Sequence, residues 1–292
     1  MSVQTLIKAQ GLRQLMLKNT KYLRLLDASW HLPSENRNPK EEFLAQRIPG
    51  AKFFDIDDCV DKSSPYEHML PKTEDFSKYV RSLGINNDSH VVVYDHSKVG
   101  LFSAPRVWWM FRAFGHDRVS ILDGGFFKWQ AEPGYPISSG PEEAAEVIAE
   151  GGPFKASLTP GMFCDFDFVK AKLSDPNIQI ADARSPGRFF GTETEPRPNF
   201  PSGHIPHSKS LHFAKFLNPE TKLMKDPQEL KNVFDEAGID LQNPLVTTCG
   251  SGITACIIAL GAHLCGKSDI MVYDGSWVEW GQRASPDMIK KN

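Results

Sequence analysis

The chain has 292 residues, of which 40% are apolar and 24% charged, and a formal charge of −3 at pH 7. That is enough for one large domain or two ordinary ones, with no charge excess to suggest nucleic acid as a partner and no apolar run near the ~18 residues of a membrane span. The five cysteines (Cys59, Cys164, Cys249, Cys256 and Cys265) are an odd number without C-x2-C or C-x4-C spacing, which excludes a zinc knuckle and fits free thiols in a reducing compartment.

The first 26 residues carry Lys8, Arg13, Lys18, Lys21 and Arg24 and no acid. Such a stretch is either a mitochondrial presequence or a basic first helix. The spacing of Leu12, Leu15, Met16 and Leu23 favours a packed helix. Farther along, Val91–Tyr94 is predicted as a buried strand, Val107–Phe114 as a helix closed by Gly115, and Val119–Leu122 as a second strand. The same succession returns with strand Leu245–Thr248, helix Ala255–Leu264 closed by Gly266, and strand Ile270–Tyr273.

The recurrence extends to single residues. Ala181-Asp182-Ala183 repeats Leu26-Asp27-Ala28 at 182 − 27 = 155, and His204-Ile205-Pro206 repeats Arg47-Ile48-Pro49 at 205 − 48 = 157. Cys249 follows its strand as Asp95 does, at 249 − 95 = 154, and Trp280 answers Trp129 at 280 − 129 = 151. Matches in one order with nearly one offset imply an internal duplication. Strand–helix–strand units at this spacing imply an α/β fold with mainly parallel sheets flanked by helices. Proline, glycine and serine concentrate between Tyr135 and Pro153. The expected organisation is therefore domain 1 over 1–136, a linker over 137–160 and domain 2 over 161–288.

The halves differ chemically in one loop. Cys249-Gly250-Ser251-Gly252-Ile253-Thr254 has two glycines that let successive N–H groups turn toward one point, and Thr254 stands where the next helix begins. A thiolate or persulfide on Cys249 is stabilised there. Asp95 cannot carry a transferable sulfur, so only one half can use thiol chemistry. Cysteine-dependent phosphatases also place a thiolate before a helix, but they need an arginine six residues on. Here that position is Ala255, which leaves a phosphoryl dianion without its main electrostatic support.

The duplication, the Cys249–Ala255 loop and the segment Tyr273-Asp274-Gly275-Ser276-Trp277-Val278-Glu279-Trp280 resemble the two-domain rhodanese-type sulfurtransferases. Leu26–Trp30, Ile48–Gly50, Ser64–Tyr66, His68–Pro71 and Ser103–Arg112 extend the likeness over nearly the whole chain. The resemblance implies two tandem rhodanese-like domains, no cofactor, and an enzyme that carries sulfur on Cys249 as a persulfide. The branch it points to takes sulfur from 3-mercaptopyruvate, releases pyruvate and passes the sulfur to thioredoxin, glutathione or cyanide. It also implies Arg188 and Arg197 as substrate-binding groups, suited by their planar forks to a carboxylate. Residues 250–254 would form the persulfide cradle. A Ser251–His68–Asp57 relay would complete the site, with His68 and Asp57 supplied by the first half and the substrate cleft between the domains.

Thiosulfate-using relatives typically carry Arg then Lys after the cysteine, whereas this chain has the neutral pair Gly250-Ser251. Ile253 departs from the family's usual valine by one methylene. A thiosulfate:cyanide sulfurtransferase and a non-catalytic rhodanese-like scaffold are the alternatives. Cytosol and mitochondrion, both reducing, are the expected compartments.

Overall fold

A computed structural model describes residues 3–18, 21–142, 152–197 and 200–291. It resolves into two compact units. The first comprises Met1–Val60, Leu70–Thr159 and Leu217–Met224; the second comprises Asp61–Met69, Pro160–Phe216 and Lys225–Asn292. Each unit thus holds a short segment that lies, in sequence, within the other half.

In the first unit the strands are β1 (Leu6–Ile7), β2 (Leu23–Asp27), β3 (Ala51–Phe53), β4 (His90–Tyr94) and β5 (Val119–Leu122). The helices are α1 (Ala9–Leu17), α2 (Pro39–Ala45), α3 (Thr73–Ser82), α4 (Ala104–Ala113) and α5 (Gly125–Ala131). The strands are all parallel, in the order β1-β5-β4-β2-β3. Val91, Val92, Val93 and Tyr94 are all fully buried, as a parallel sheet covered on both faces requires. Leu25, Val92, Leu122, Phe126 and Trp129 form a core with Leu12 of α1 on one face.

Leu23, expected on the first helix, instead opens β2, so the helical spacing of Leu12, Leu15 and Met16 stops at Leu17. α4 begins at Ala104, three residues before the predicted Val107, with Pro105 in its first turn. Proline is harmless there because the first-turn N–H groups have no helical acceptor. Gly115 and Gly266 follow the ends of their helices at φ +79° and +90°, the left-handed closure glycine permits. Of the stretch expected as linker, 137–142 and 152–159 belong to the first unit. Arg47 donates to the carbonyls of Gly140 and Pro141, both at 2.8 Å, and Phe154 packs edge-on to Phe76. Residues 143–151 lie outside the described residues.

The second unit contains β6 (Phe163–Cys164), α6 (Phe166–Lys172), β7 (Gln179–Asp182), α7 (Pro186–Phe190), β8 (Lys209–Ser210), α8 (Pro227–Glu236), β9 (Leu245–Thr248), α9 (Ala255–Leu264), β10 (Ile270–Tyr273) and α10 (Ser276–Arg283). Its parallel order β6-β10-β9-β7-β8 is the first order with every strand advanced by five. Hydrogen bonds repeat too. Ala28 N–H donates to Tyr94 O at 2.8 Å and Ala183 N–H to Thr248 O at 2.9 Å; the Trp129 and Trp280 indoles donate to Pro136 O and Met288 O. α9 is buried from Ala255 through Ala262, as expected of a helix that is apolar on all sides.

A buried histidine, His116, and a half-buried one, His90, make the first unit acid-sensitive. Burial pushes His116 and His90 down to about 4; for His116 the neighbouring backbone of Ser89 and Arg118 only partly opposes this. His116 lies among Phe111 and Phe154. The unfolded chain, titrating near ~6.5, binds protons that the folded chain refuses, so this stability is complete above about pH 6.5 and lost as pH falls toward 4. Full loss is worth about 3 kcal/mol for the buried His116. Thermal unfolding followed from pH 7 to 4 should show this decline, and His116→Gln should reduce its slope; an unchanged slope removes His116 as a source.

Candidate active site

Strand order explains which residues meet. β9 and β7 are neighbours with Asp182 level with Thr248, and the chain leaves β7 toward one edge and β9 toward the other. Loops at the carboxyl ends of two such strands diverge and leave a crevice, the usual ligand site of a parallel sheet. The loop after β9 starts with Cys249. The segment between β7 and β8, which includes α7, carries Arg184, Arg188, Glu195 and Arg197.

Cys249 is buried, with 2% of its surface exposed. Its carbonyl accepts the Trp277 N–H at 3.0 Å, and the Gly250 carbonyl accepts that of Val278 at 2.9 Å, so the first turn of α10 holds the loop. Gly252 lies at φ +82°, a left-handed conformation that turns the chain into α9 and disfavours any side chain. α9 then starts after Thr254, so its dipole and first-turn N–H groups face the loop. A methyl group on Gly250 would sit 3.1 Å from one guanidinium nitrogen of Arg188 and 3.4 Å from one of Arg197. Both arginines therefore lie directly over the residue after Cys249.

Carboxylates set their positions. Arg188 donates to Glu195 through Nε at 3.1 Å and a terminal nitrogen at 2.5 Å. The other Glu195 oxygen is taken by Arg184 at 2.8 Å, which also pairs with Asp182 at 2.6 Å and lies 4.2 Å over the Trp277 ring. Arg197 is clamped by Glu67, with contacts of 3.0 and 2.5 Å. Burial alone would weaken the Arg184 charge, but Asp182 and Glu195 outweigh it and raise its pKa. Burial also opposes charge on Arg197, where Glu67, Cys249 and Glu195 prevail and raise its pKa. The result is a set of fixed cations beside the Cys249 thiol, each held by a carboxylate of the protein.

His68 belongs to the second unit although it lies early in the sequence, because segment Asp61–Met69 packs there. Its Nδ1 is 2.8 Å from Ser251 Oγ, both residues are buried, and His68 adopts φ +61°. A β-carbon is disfavoured in that region, so the surrounding packing holds the imidazole in place. Asp57 lies in the first unit, where its Oδ1 accepts the Trp30 indole N–H at 3.1 Å. Within the second unit the structure thus assembles Cys249, Ser251, His68, Arg188 and Arg197.

The remaining cysteines are poor nucleophile candidates. Burial pushes the Cys164 thiol well above its ordinary value, reinforced by Asp165, Asp274 and Glu279; Cys265 is also raised by burial. Cys59 and Cys256 are buried.

The first unit shows what an occupied anion loop looks like. Asp95, 1% exposed, accepts N–H bonds from Ser97 (3.0 Å), Phe102 (2.9 Å), Ser103 (2.8 Å) and Ala104 (2.8 Å). Burial raises its pKa while those four donors pull it back. The carboxylate fills the cradle that its own loop builds.

Three contributors have no role assigned by the sequence motifs. Glu195 and Glu67 are ordinary acids in sequence and take on their roles only through the arginines they hold. Ser276 is fully buried at φ +47°, in the position of Gly125 at φ +55° (276 − 125 = 151). Its Oγ accepts the Cys249 N–H at 3.3 Å and donates to Tyr273 O at 2.8 Å. The serine could have been picked out by noticing that it replaces the first-half glycine. Ser276→Ala should leave that buried N–H unsatisfied and cost about 1–3 kcal/mol in denaturant unfolding; a change near zero removes the hydroxyl as a support of the loop.

No helix among the described residues is long and apolar enough to cross a membrane. The rhodanese-like domain model matches residues 9–132 and 165–283. The chain is 51% identical to human (Homo sapiens) 3-mercaptopyruvate sulfurtransferase, covering 91% of this chain and 88% of that protein. It is 48% identical to Bos taurus thiosulfate sulfurtransferase, covering 91% and 87%. The crystal structure of SseA from Escherichia coli, of the 3-mercaptopyruvate sulfotransferases, superposes with a TM-score of 0.82 at 33% identity, covering 94% of this chain and 99% of that one. Sheets of identical order, a single cysteine loop and matches over both halves lead to one conclusion: the chain belongs to the rhodanese-like family, as a tandem-domain sulfurtransferase.

Proposed function

We propose that this sulfurtransferase takes its sulfur from 3-mercaptopyruvate. The observation that carries the reading is the pair Arg188 and Arg197 over Gly250, beside Cys249 in a loop with no cation of its own. Overall identity does not separate the donors, since mercaptopyruvate and thiosulfate enzymes match at 51% and 48%. The loop does. Gly250-Ser251 is neutral, and the positive charge stands across from it as two guanidinium forks, which match a carboxylate with an adjacent keto oxygen.

The Cys249 thiolate attacks the donor's sulfur, forming an S–S bond. The C–S bond breaks with its electron pair going to carbon, giving the pyruvate enolate. Arg188 and Arg197 stabilise the charge that accumulates on the keto oxygen. The Ser251 hydroxyl, hydrogen-bonded with His68, delivers the proton that converts the enolate to pyruvate. Cys249 is left as a persulfide, held by the N–H groups of residues 250–254 and the start of α9. An acceptor thiolate or cyanide attacks the outer sulfur and the Cys249 thiolate departs. Thioredoxin, glutathione and cyanide are the proposed acceptors, cytosol or mitochondrion the proposed compartments, and residues 1–136 and 161–288 the proposed domains about a 137–160 linker.

Comparing kcat/KM for mercaptopyruvate and thiosulfate on the purified protein tests the donor. A preference for mercaptopyruvate is expected. A clear preference for thiosulfate would overturn the assignment.

A further inference from the structure

Segment Asp61–Met69 brings two consecutive ionisable residues, Glu67 and His68, to the second unit. His68 is buried with its Nδ1 2.8 Å from Ser251 Oγ, which anchors the segment beside the cysteine loop. Glu67 stays toward solvent, with 50% of its side chain exposed, and holds Arg197 from there. Arg197 donates its Nε–H to both carboxylate oxygens, at 3.0 and 3.1 Å, and one terminal nitrogen to the second of them at 2.5 Å. Its other terminal nitrogen is the one that lies over Gly250.

Each arginine of the crevice is thus matched by a carboxylate: Arg184 by Asp182, Arg188 by Glu195 and Arg197 by Glu67. The three acids are not equivalent. Asp182 and Glu195, at 1% and 2% exposure, belong to the interior. Glu67 is the one whose charge stands at the solvent side, from which a donor arrives. Gly250 and Ser251, across from it, bring no cation to offset that charge.

Donors differ in how much of this charge they feel. Mercaptopyruvate enters with a single carboxylate, whereas thiosulfate is a dianion at neutral pH. A guanidinium can receive either through its N–H groups. Repulsion from a neighbouring carboxylate, however, is twice as large for the dianion. A thiolate at Cys249 adds to the same difference.

We propose that Glu67 determines donor specificity: its carboxylate, held on Arg197, discriminates against dianionic donors and so favours a monoanion such as mercaptopyruvate. Glu67 acts in this way only on the assignment of Arg197 as a donor-binding group given above.

The test is kcat/KM for mercaptopyruvate and for thiosulfate, with cyanide as acceptor, in wild type, Glu67→Gln and Glu67→Asp. In Glu67→Gln the ratio of thiosulfate to mercaptopyruvate should rise about three- to tenfold, and the rise should shrink in about 0.5 M salt. Glu67→Asp keeps the charge and should stay near the wild-type ratio. A ratio that Glu67→Gln leaves unchanged or lowers overturns the proposal; an equal fall for both donors is what loss of a simple brace for Arg197 would give. Where thiosulfate turnover is too slow to fit, competitive inhibition by sulfate and pyruvate makes the same comparison of dianion and monoanion. Glu67→Gln should then tighten sulfate about threefold or more relative to pyruvate, and equal tightening overturns the proposal. A wild-type preference for thiosulfate would overturn the donor reading above, whereas the change in ratio on removing the Glu67 charge decides this proposal in either case.

Discussion

Replacing Arg188 by glycine is expected to raise KM and lower kcat together, reducing kcat/KM for mercaptopyruvate by about 100-fold. Loss of a charge-assisted, bidentate contact is worth about 2–3 kcal/mol, and the size comes from that figure. The split between KM and kcat follows from the arginine's two duties. Holding the carboxylate is needed in the ground state, whereas charge on the keto oxygen grows only as the C–S bond breaks. The fold should survive, because Glu195, though only 2% exposed in its side chain, keeps its pair with Arg184. Arg188→Lys should fall between, since it keeps the charge and loses the fork. Steady-state kinetics decides, and unchanged constants for Arg188→Gly would remove the residue from the site.

The largest effect belongs to Cys249. Cys249→Ser should lower sulfur transfer by about 10⁴-fold or more, because a hydroxyl neither ionises at neutral pH nor forms a transferable S–S bond. Serine is slightly smaller and the site is rigidly framed by Trp277, Val278 and Ser276. Thermal stability should therefore change little. Activity within tenfold of wild type would mean that another group carries the sulfur.

Much of this architecture was legible because it is local or periodic. Val91–Tyr94 and Leu245–Thr248 are short runs rich in β-branched residues, the composition and length of a buried parallel strand. Gly115 and Gly266 end helices for a reason a sequence displays, the need for a left-handed residue. Duplication then transferred each reading from one half to the other. What escaped depends on long-range packing. Nothing in Asp61–Met69 says that it packs with the second unit, yet this puts His68 beside Ser251 and Glu67 beside Arg197. Leu23 fitted a helical spacing until β2 claimed it, since pairing with β4 outweighs local periodicity.

The carboxylate in the first unit is also instructive about the loop itself. Four N–H groups converge on Asp95, so this fold builds an anion cradle whether or not it does chemistry. Chemistry then depends on which anion fills it.

The most direct measurement is mass spectrometry of the intact protein and its peptides after incubation with mercaptopyruvate and removal of the excess. The account predicts a gain equal to one sulfur atom on the Cys249 peptide, absent in Cys249→Ser and discharged by cyanide. A sulfur adduct that persists in Cys249→Ser, or none on Cys249 in a protein that turns over, would contradict it.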